Sequence, residues 1–313
     1  IPCNGIGLEP GWMEKHYDYS VEKTWSRERF DIPFWLKGQK HGTFAAALDK
    51  MGFKLSLWLC CDYDLSEHEE QLLALKAGGR PADARPPKTP EPAADETRVM
   101  GFQQAAPVTP DPQGGGAVIV DELLKGAVYQ DMLTQPGQPW FEHLKQFVDD
   151  GARAFKLDGA NLGLRHPDRK WANGMDDREM HNLHSAVYTK QMSRGYADYA
   201  KKRPMINIAR GCAGVQQYAA MWAGDTGGGP RPLAALLNDG FCALSNLTVD
   251  MDVFSEAGIH FGFLQPWCQV CSWHQYNEPW FQGKRLAAMF AEYARLRYRL
   301  MPYVYSMAAL AAS

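Results

Sequence analysis

The sequence predicts an α/β fold, a (β/α)8 barrel, on three observations. Short, almost continuously apolar runs alternate with helical segments along 313 residues, the pattern of parallel strands covered by helices. Seven such strand-like runs follow one another. No G-x-G-x-x-G follows the first, so the signature of a doubly wound dinucleotide fold is missing.

The elements follow in order. Cys3–Leu8 reads as a strand, and Gly42–Lys50 as a short helix leading into the strand Phe53–Cys61. A helix over Trp140–Asp150 precedes the strand Ala152–Asp158, and a longer one over Met180–Lys201 precedes Pro204–Ala209. Further strands are expected at Ala219–Gly224, Gly240–Leu244 and Gly262–Val270. A closing helix runs over Gly283–Tyr305, with Pro302 near its end. Between about Ala77 and Gly116 prolines and glycines crowd the chain (RPADARPPKTPEPAADETR, TPDPQGGG). This stretch is expected to be a long exposed insertion in the loop after Phe53–Cys61, or a lid, because barrel loops at that end carry the site. The barrel is expected to occupy residues 1–313, with 77–116 inserted in it.

Composition narrows the function. Hydrophobic residues make up 45% and aromatics 12%, enough for a large core. A net charge of −3 gives no electrostatic basis for binding nucleic acid or acidic lipid. Apolar runs such as Phe53–Cys61 are too short to span a bilayer. Seven cysteines show no disulfide-framework spacing, and the lone C-x-x-C of Cys268 and Cys271 lacks the second pair a zinc site needs. His181 and His184 share a helix face, but no H-E-x-x-H accompanies them, so neither a metal nor a cofactor is expected. The acidic run at 64–70 reads as a solvated helix start with Ser66 as its N-cap.

In a barrel, polar residues at strand C-termini converge on one mouth. Those ends carry Glu9, followed by Trp12; Trp58; Asp158, in FKLDGAN; Arg210; Trp222 and Asp225, in MWAGD; Asp250 and Asp252, in TVDMDVF; and His274. A carboxylate at an interior strand end costs several kcal/mol unless it is paired or hydrogen-bonded. Acids, an Arg, a His and several Trp at one rim suit a polyhydroxylated ligand. Trp faces stack on sugar rings, and the polar groups bind hydroxyls. Two of the carboxylates suffice to break a glycosidic bond, one as nucleophile and one as general acid. Each Trp also has a plain reading as a core residue. The aromatic helix over Tyr293–Tyr305 reads as packing.

Four stretches, in order, make the chain resemble glycoside hydrolase family 31, the retaining α-glycosidases. They are FKLD; the segment from Arg210 to W-x-G-D at Asp225; HQYNEPW from His274; and RLRYRLMPYVYS over residues 295–306. IGLEPGWM, WSRERF and MGFKLSLWL stand in the expected order too. The resemblance implies Asp158 as nucleophile and Asp225 as acid/base, about 5–5.5 Å apart in a retaining pair. It implies Arg210, His274, Asp250 (or Asp252 in another register) and Glu9 as binders of sugar hydroxyls. Lys156 and Asp158 lie two apart, so a strand puts them on one face and Leu157 on the other. Lys156 is expected to help hold Asp158 ionised.

The sequence departs from the family pattern around the sugar. Gly159-Ala160-Asn161 replaces the usual Phe-Gly-Glu, Glu9 replaces an Asp, and Ser272 stands where an Arg is common. The segment from Arg210 to Asp225 is one residue short, and Asp250-Met251-Asp252-Val253 replaces Asp-Ile-Gly-Gly. With both catalytic carboxylates kept, the expected substrate is an oligosaccharide or glycoside with a terminal α-linked sugar other than plain glucose, such as an α-galactoside or α-N-acetylgalactosaminide. The rival expectation, a catalytically silent glycan-binding barrel, calls for loss of an Asp at 158 or 225. The chain opens on Ile1 within a strand-like stretch, so the resemblance also implies a barrel without its first β/α unit and without the family's flanking β-sandwich domains.

Overall fold

A computed structural model of the chain describes residues 4–14, 23–31, 43–60, 140–158, 171, 173–180, 183–209, 214–223, 227–270 and 278–311. Two compact units arise, one within Cys3–Thr89 and Pro112–Ala219, the other within Ala220–Ser313. The expected insertion at 77–116 and the expected helix start at 64–70 lie outside the described residues. Among the described residues no helix is long and apolar enough to cross a membrane.

The first unit is built on four parallel strands, β1 (Gly5–Leu8), β2 (Lys54–Cys60), β3 (Ala152–Asp158) and β4 (Met205–Ala209), paired side by side in chain order. Parallel neighbours need crossover connections. The helices α1 (Phe44–Lys50), α2 (Lys145–Asp150), α3 (Asp177–Met180) and α4 (His184–Ala200) lie in those connections. Thr43 starts α1 by accepting the amide of Ala46 at 3.1 Å, an N-cap that satisfies an orphan donor. The same hydroxyl donates to the Asp150 carbonyl at 2.6 Å, tying the start of α1 to the end of α2.

Helix packing decides which strand face is which. Phe155 meets the ring of Tyr196 on α4 edge-on at 6.4 Å, so Phe155 and Leu157 face the helices. By register Leu57 and Leu59 of β2 and Ile206 and Ile208 of β4 lie beside them. All six are buried, at 4% exposure or less. The period of two then turns Trp58, Lys156, Asp158 and Asn207 to the opposite face.

Helix α4 sits close to the 3-10 turn Trp140–Leu144 through Gly195. A Cβ at position 195 would stand 2.5 Å from Cγ and 2.6 Å from Cβ of Phe141, itself 1% exposed. Gly195→Ala should therefore lower stability by up to about 2 kcal/mol. Overpacking costs about 1–3 kcal/mol, more than the roughly 1 kcal/mol that Ala gains over Gly in a helix. Urea unfolding of the variant checks this, and a stabilised variant would show that the contact relaxes.

The second unit contains β5 (Ala220–Trp222), α5 (Pro230–Phe241), β6 (Leu247–Thr248), β7 (Asp250–Met251), α6 (Glu256–Phe263), β8 (Gln269–Val270) and α7 (Lys284–Ala311). β5 pairs with β6 and β7 with β8, both parallel. Met251, Val253, Ile259, Phe263, Phe290 and Ala294 form its core.

Two expected strands are corrected here. Gly240–Leu244 is the end of α5 and the turn after it. Pro230 occupies the first helical turn, where its missing N–H costs nothing, and the helix continues until Ala243 turns left-handed at φ 65°. The strand follows at Leu247. Gly262–Val270 is strand only at Gln269–Val270, because Ser255 caps α6 by accepting the Gly258 amide at 3.0 Å. Gly262 serves that helix: a Cβ there would lie 2.6 Å from the Met251 side chain, so its absence lets α6 sit on β7. The final helix holds Pro302 inside it and runs past Tyr305 to Ala311.

Candidate active site

The site is assembled from the strand ends of the first unit. Register places Trp58 beside Lys156 and Lys156 beside Asn207, and Glu9 follows Leu8, which pairs with Leu57. Glu9, Trp58, Lys156 and Asn207 thus form one row across four strands, and Asp158 stands one pleat further toward the C-terminal end. The sequence reading missed Asn207. Its signal was present, since period-two counting along Met205–Ala209 turns Asn207 to the face opposite Ile206 and Ile208.

Two hydrogen-bonded pairs organise this row. The Lys156 ammonium lies 2.8 Å from Glu9 Oε1, with side-chain exposures of 10% and 40%. The Trp58 indole N–H donates to Asp158 Oδ2 at 3.0 Å. Lys156 was expected to support Asp158. The structure pairs it with Glu9, and Trp58 donates to Asp158. Both bonds are charge-assisted, the stronger kind, and they answer the cost of placing carboxylates at interior strand ends.

Glu9 introduces a 3-10 turn, Pro10–Trp12, which is fastened at several points. Arg29 donates to the carbonyls of Gly11 (2.9 Å), Met13 and Glu14 (3.0 Å). Trp12 donates its indole N–H to the Trp58 carbonyl at 2.9 Å and packs edge-on against Phe147 of α2 at 4.8 Å. Trp12 is fully buried, and its ring packs the turn against α2. Trp222 of β5 is 1% exposed and Trp58 6% exposed.

In the second unit Asp250 is fully buried on β7, accepting from the side-chain amide of its register partner Gln269. Asp252 is used locally. Its Oδ1 accepts the Phe254 amide at 2.7 Å and its Oδ2 the Ser255 hydroxyl at 2.6 Å, bracing the cap of α6. Of the two registers, Asp250 faces away from the helix-side core that Met251 joins. Arg210, Asp225 and His274 lie outside the described residues, as do His181 and Cys271. His184 is buried in an aromatic group, stacked on Tyr188 at 6.2 Å and tilted to Trp171 at 6.1 Å. No set of three or more His, Cys, Asp or Glu among the described residues is grouped to hold a metal ion.

Comparison with known proteins identifies the family of this barrel. The model of the glycosyl hydrolases family 31 TIM-barrel domain matches residues 1–307. Alpha-glucosidase 2 of Bacillus thermoamyloliquefaciens is 27% identical over 146 residues, 42% of this chain and 18% of that protein. An alpha-xylosidase of Saccharolobus solfataricus is 24% identical over 253 residues, 70% of this chain and 34% of that protein. A Flavobacterium johnsoniae GH31 dextranase solved with isomaltotriose shares the fold at a TM-score of 0.61 and 16% identity, covering 99% of this chain and 37% of its own. The chain thus spans a fifth to a little over a third of the length of these relatives. A family match over nearly every residue, on parallel strands whose C-terminal ends gather carboxylates, has one meaning: the chain belongs to glycosyl hydrolase family 31, as its TIM-barrel domain.

Proposed function

We propose that the protein hydrolyses a terminal α-glycosidic bond with retention of configuration, Asp158 acting as nucleophile and Asp225 as acid/base. The observation that carries this reading is the Asp158 carboxylate, half-buried at the C-terminal end of β3 on the face away from the helices and held by a directed indole N–H. In the first step an Asp158 oxygen attacks the anomeric carbon. The C–O bond to the leaving group breaks, and Asp225 gives its proton to the departing oxygen. In the second, water attacks the same carbon, Asp225 takes a proton from it, and the ester bond to Asp158 opens. Glu9, Arg210, Asp250 and His274 are assigned to the sugar hydroxyls.

The relatives named above are an alpha-glucosidase, an alpha-xylosidase and a dextranase. We assign this protein a different sugar, an α-galactoside or α-N-acetylgalactosaminide. Glu9 reaches one methylene further than the Asp it replaces and its Oε1 is held by Lys156 at 2.8 Å, which changes how the carboxylate is presented to a ring hydroxyl.

The test is release of 4-nitrophenol by the full-length protein from the α-gluco, α-xylo, α-galacto and 2-acetamido-α-galacto glycosides. Fastest release from a galacto-configured sugar, with the α-anomer as first product, is the expected result. Preference for gluco or xylo would overturn the sugar assignment. An inverted product would remove the mechanism, and silence across the panel would favour a glycan-binding module.

A further inference from the structure

We infer that Trp58 is a positioning residue for the nucleophile, its indole N–H holding the Asp158 carboxylate in one orientation while Trp12 braces the backbone from which Trp58 projects. This rests on the assignment of Asp158 as nucleophile.

The argument begins with what an indole offers that other large apolar side chains do not. Phe or Leu would fill the same interior space, and the helix-side positions of β2 are indeed Leu57 and Leu59. Only on the opposite face does β2 place a Trp. That ring is 6% exposed. An indole carries a single donor. Here it is spent on Oδ2 of Asp158 at 3.0 Å, across the β2–β3 boundary and 100 residues away in sequence.

Trp58 and Asp158 are not direct cross-strand partners. Trp58 is level with Lys156, and Asp158 with Cys60. The indole therefore reaches diagonally, along the strand direction, to the carboxylate one pleat higher. Such a reach holds only if residue 58 itself is fixed. The Trp58 carbonyl accepts the Trp12 indole N–H at 2.9 Å in the buried interior. Trp12 in turn is wedged edge-on against Phe147, in a turn that Arg29 stitches through three carbonyls. The path from α2 to the carboxylate is thus Phe147, Trp12, Trp58, Asp158.

A nucleophile must meet the anomeric carbon at about 3–3.5 Å with its orbital aligned. A carboxylate rotating freely about its terminal torsion spends little time so placed, because that torsion is broad. A directed donor from a locked side chain narrows it. The effect belongs to the transition state, so it appears in the rate of glycosyl-enzyme formation and not in substrate affinity.

Two measurements on the full-length protein test the inference. The first is independent of turnover. With tryptophan indole nitrogens labelled by 15N, the Trp58 Hε1 signal, assigned by its loss in Trp58→Phe, should move on Asp158→Asn as a charged acceptor becomes neutral. An unmoved signal overturns the inference. The second is kinetic. On the best substrate of the panel, Trp58→Phe should lower kcat by about ten- to a hundredfold, the effect of losing one hydrogen bond to a charged group, with KM within about twofold. Replacing Trp58 by 3-benzothienylalanine keeps the ring shape and removes only the N–H, and should give the same loss. It therefore stands in if Trp58→Phe folds poorly. Trp12→Phe should give a smaller loss of kcat in the same sense.

A benzothienyl variant with undiminished kcat, or a loss confined to KM, overturns the positioning role. If Asp158→Ala itself retains turnover, or the panel is silent, the nucleophile reading fails and takes the role with it. The indole signal still reports on the bond, so the two failures are told apart.

Discussion

On the proposed mechanism, Asp158→Ala in the full-length protein should lower kcat/KM by about four orders of magnitude or more, the scale of losing an essential nucleophile, with azide partly restoring the rate. Alanine removes the carboxylate and leaves a gap beside Trp58, in which the small anion takes the place of the lost oxygen. It attacks the anomeric carbon from the side Asp158 used, so the product is a β-glycosyl azide. Asp225→Ala behaves differently. A substrate with a good leaving group still forms the glycosyl-enzyme, and azide intercepts it to give the α-azide. Product configuration, read by NMR, therefore assigns each carboxylate its role. Near-wild-type turnover by Asp158→Ala, or the α-azide from it, would sink the nucleophile assignment. Near-UV circular dichroism guards against mistaking a misfolded variant for an inactive one.

Arg297→Ala carries the largest expected effect on stability, about 3 kcal/mol or more. The guanidinium is 9% exposed and donates from α7 to the carbonyls of Phe263 at 2.9 Å, Gln265 at 2.6 Å and Pro266 at 2.9 Å. These carbonyls lie at the C-terminal end of α6 and just beyond it, where helical partners run out. Each buried acceptor left unsatisfied costs about 1–3 kcal/mol, and water can reach only part of the vacated space. Arg297→Lys should recover a minor share, because one ammonium cannot span three acceptors arranged for a planar fork. Urea denaturation measures both variants. A loss below about 1 kcal/mol for the alanine variant would mean that solvent already serves these carbonyls. The contact also leads into β8, where Gln269 meets Asp250, so the variant tests whether that strand depends on α7.

Both residues show how far the one-dimensional pattern reached. The β3 strand was legible in ARAFKLD because alternating sides and a following glycine mark it, and the period of two placed Lys156 and Asp158 together on one face. Their partners were not legible. Lys156 finds Glu9 at a sequence separation of 147 and Asp158 finds Trp58 at 100, and nothing local in FKLD distinguishes those partners from a direct Lys156–Asp158 pair. The strands expected at Gly240–Leu244 and Gly262–Val270 failed for a related reason. Short apolar runs with glycine suit a strand or the end of a buried helix equally, and the Ala243 turn and the contact of Gly262 with Met251 decided between them. Trp12, Trp58 and Trp222 were readable as large apolar residues at strand ends, but their depth of burial came only with the tertiary structure.

By itself, then, the sequence determined the class of fold, the order of its strands through β4, the sharing of one face by Lys156 and Asp158, and the family to which the chain belongs. Each of these follows from local periodicity or from residues close together in the chain. Only the tertiary structure decided which donor holds the carboxylate, which acid takes the lysine and which of Asp250 and Asp252 is spent on a helix cap. Those choices depend on distances of about 3 Å between groups on different strands and turns, set by register and packing, which no local pattern encodes.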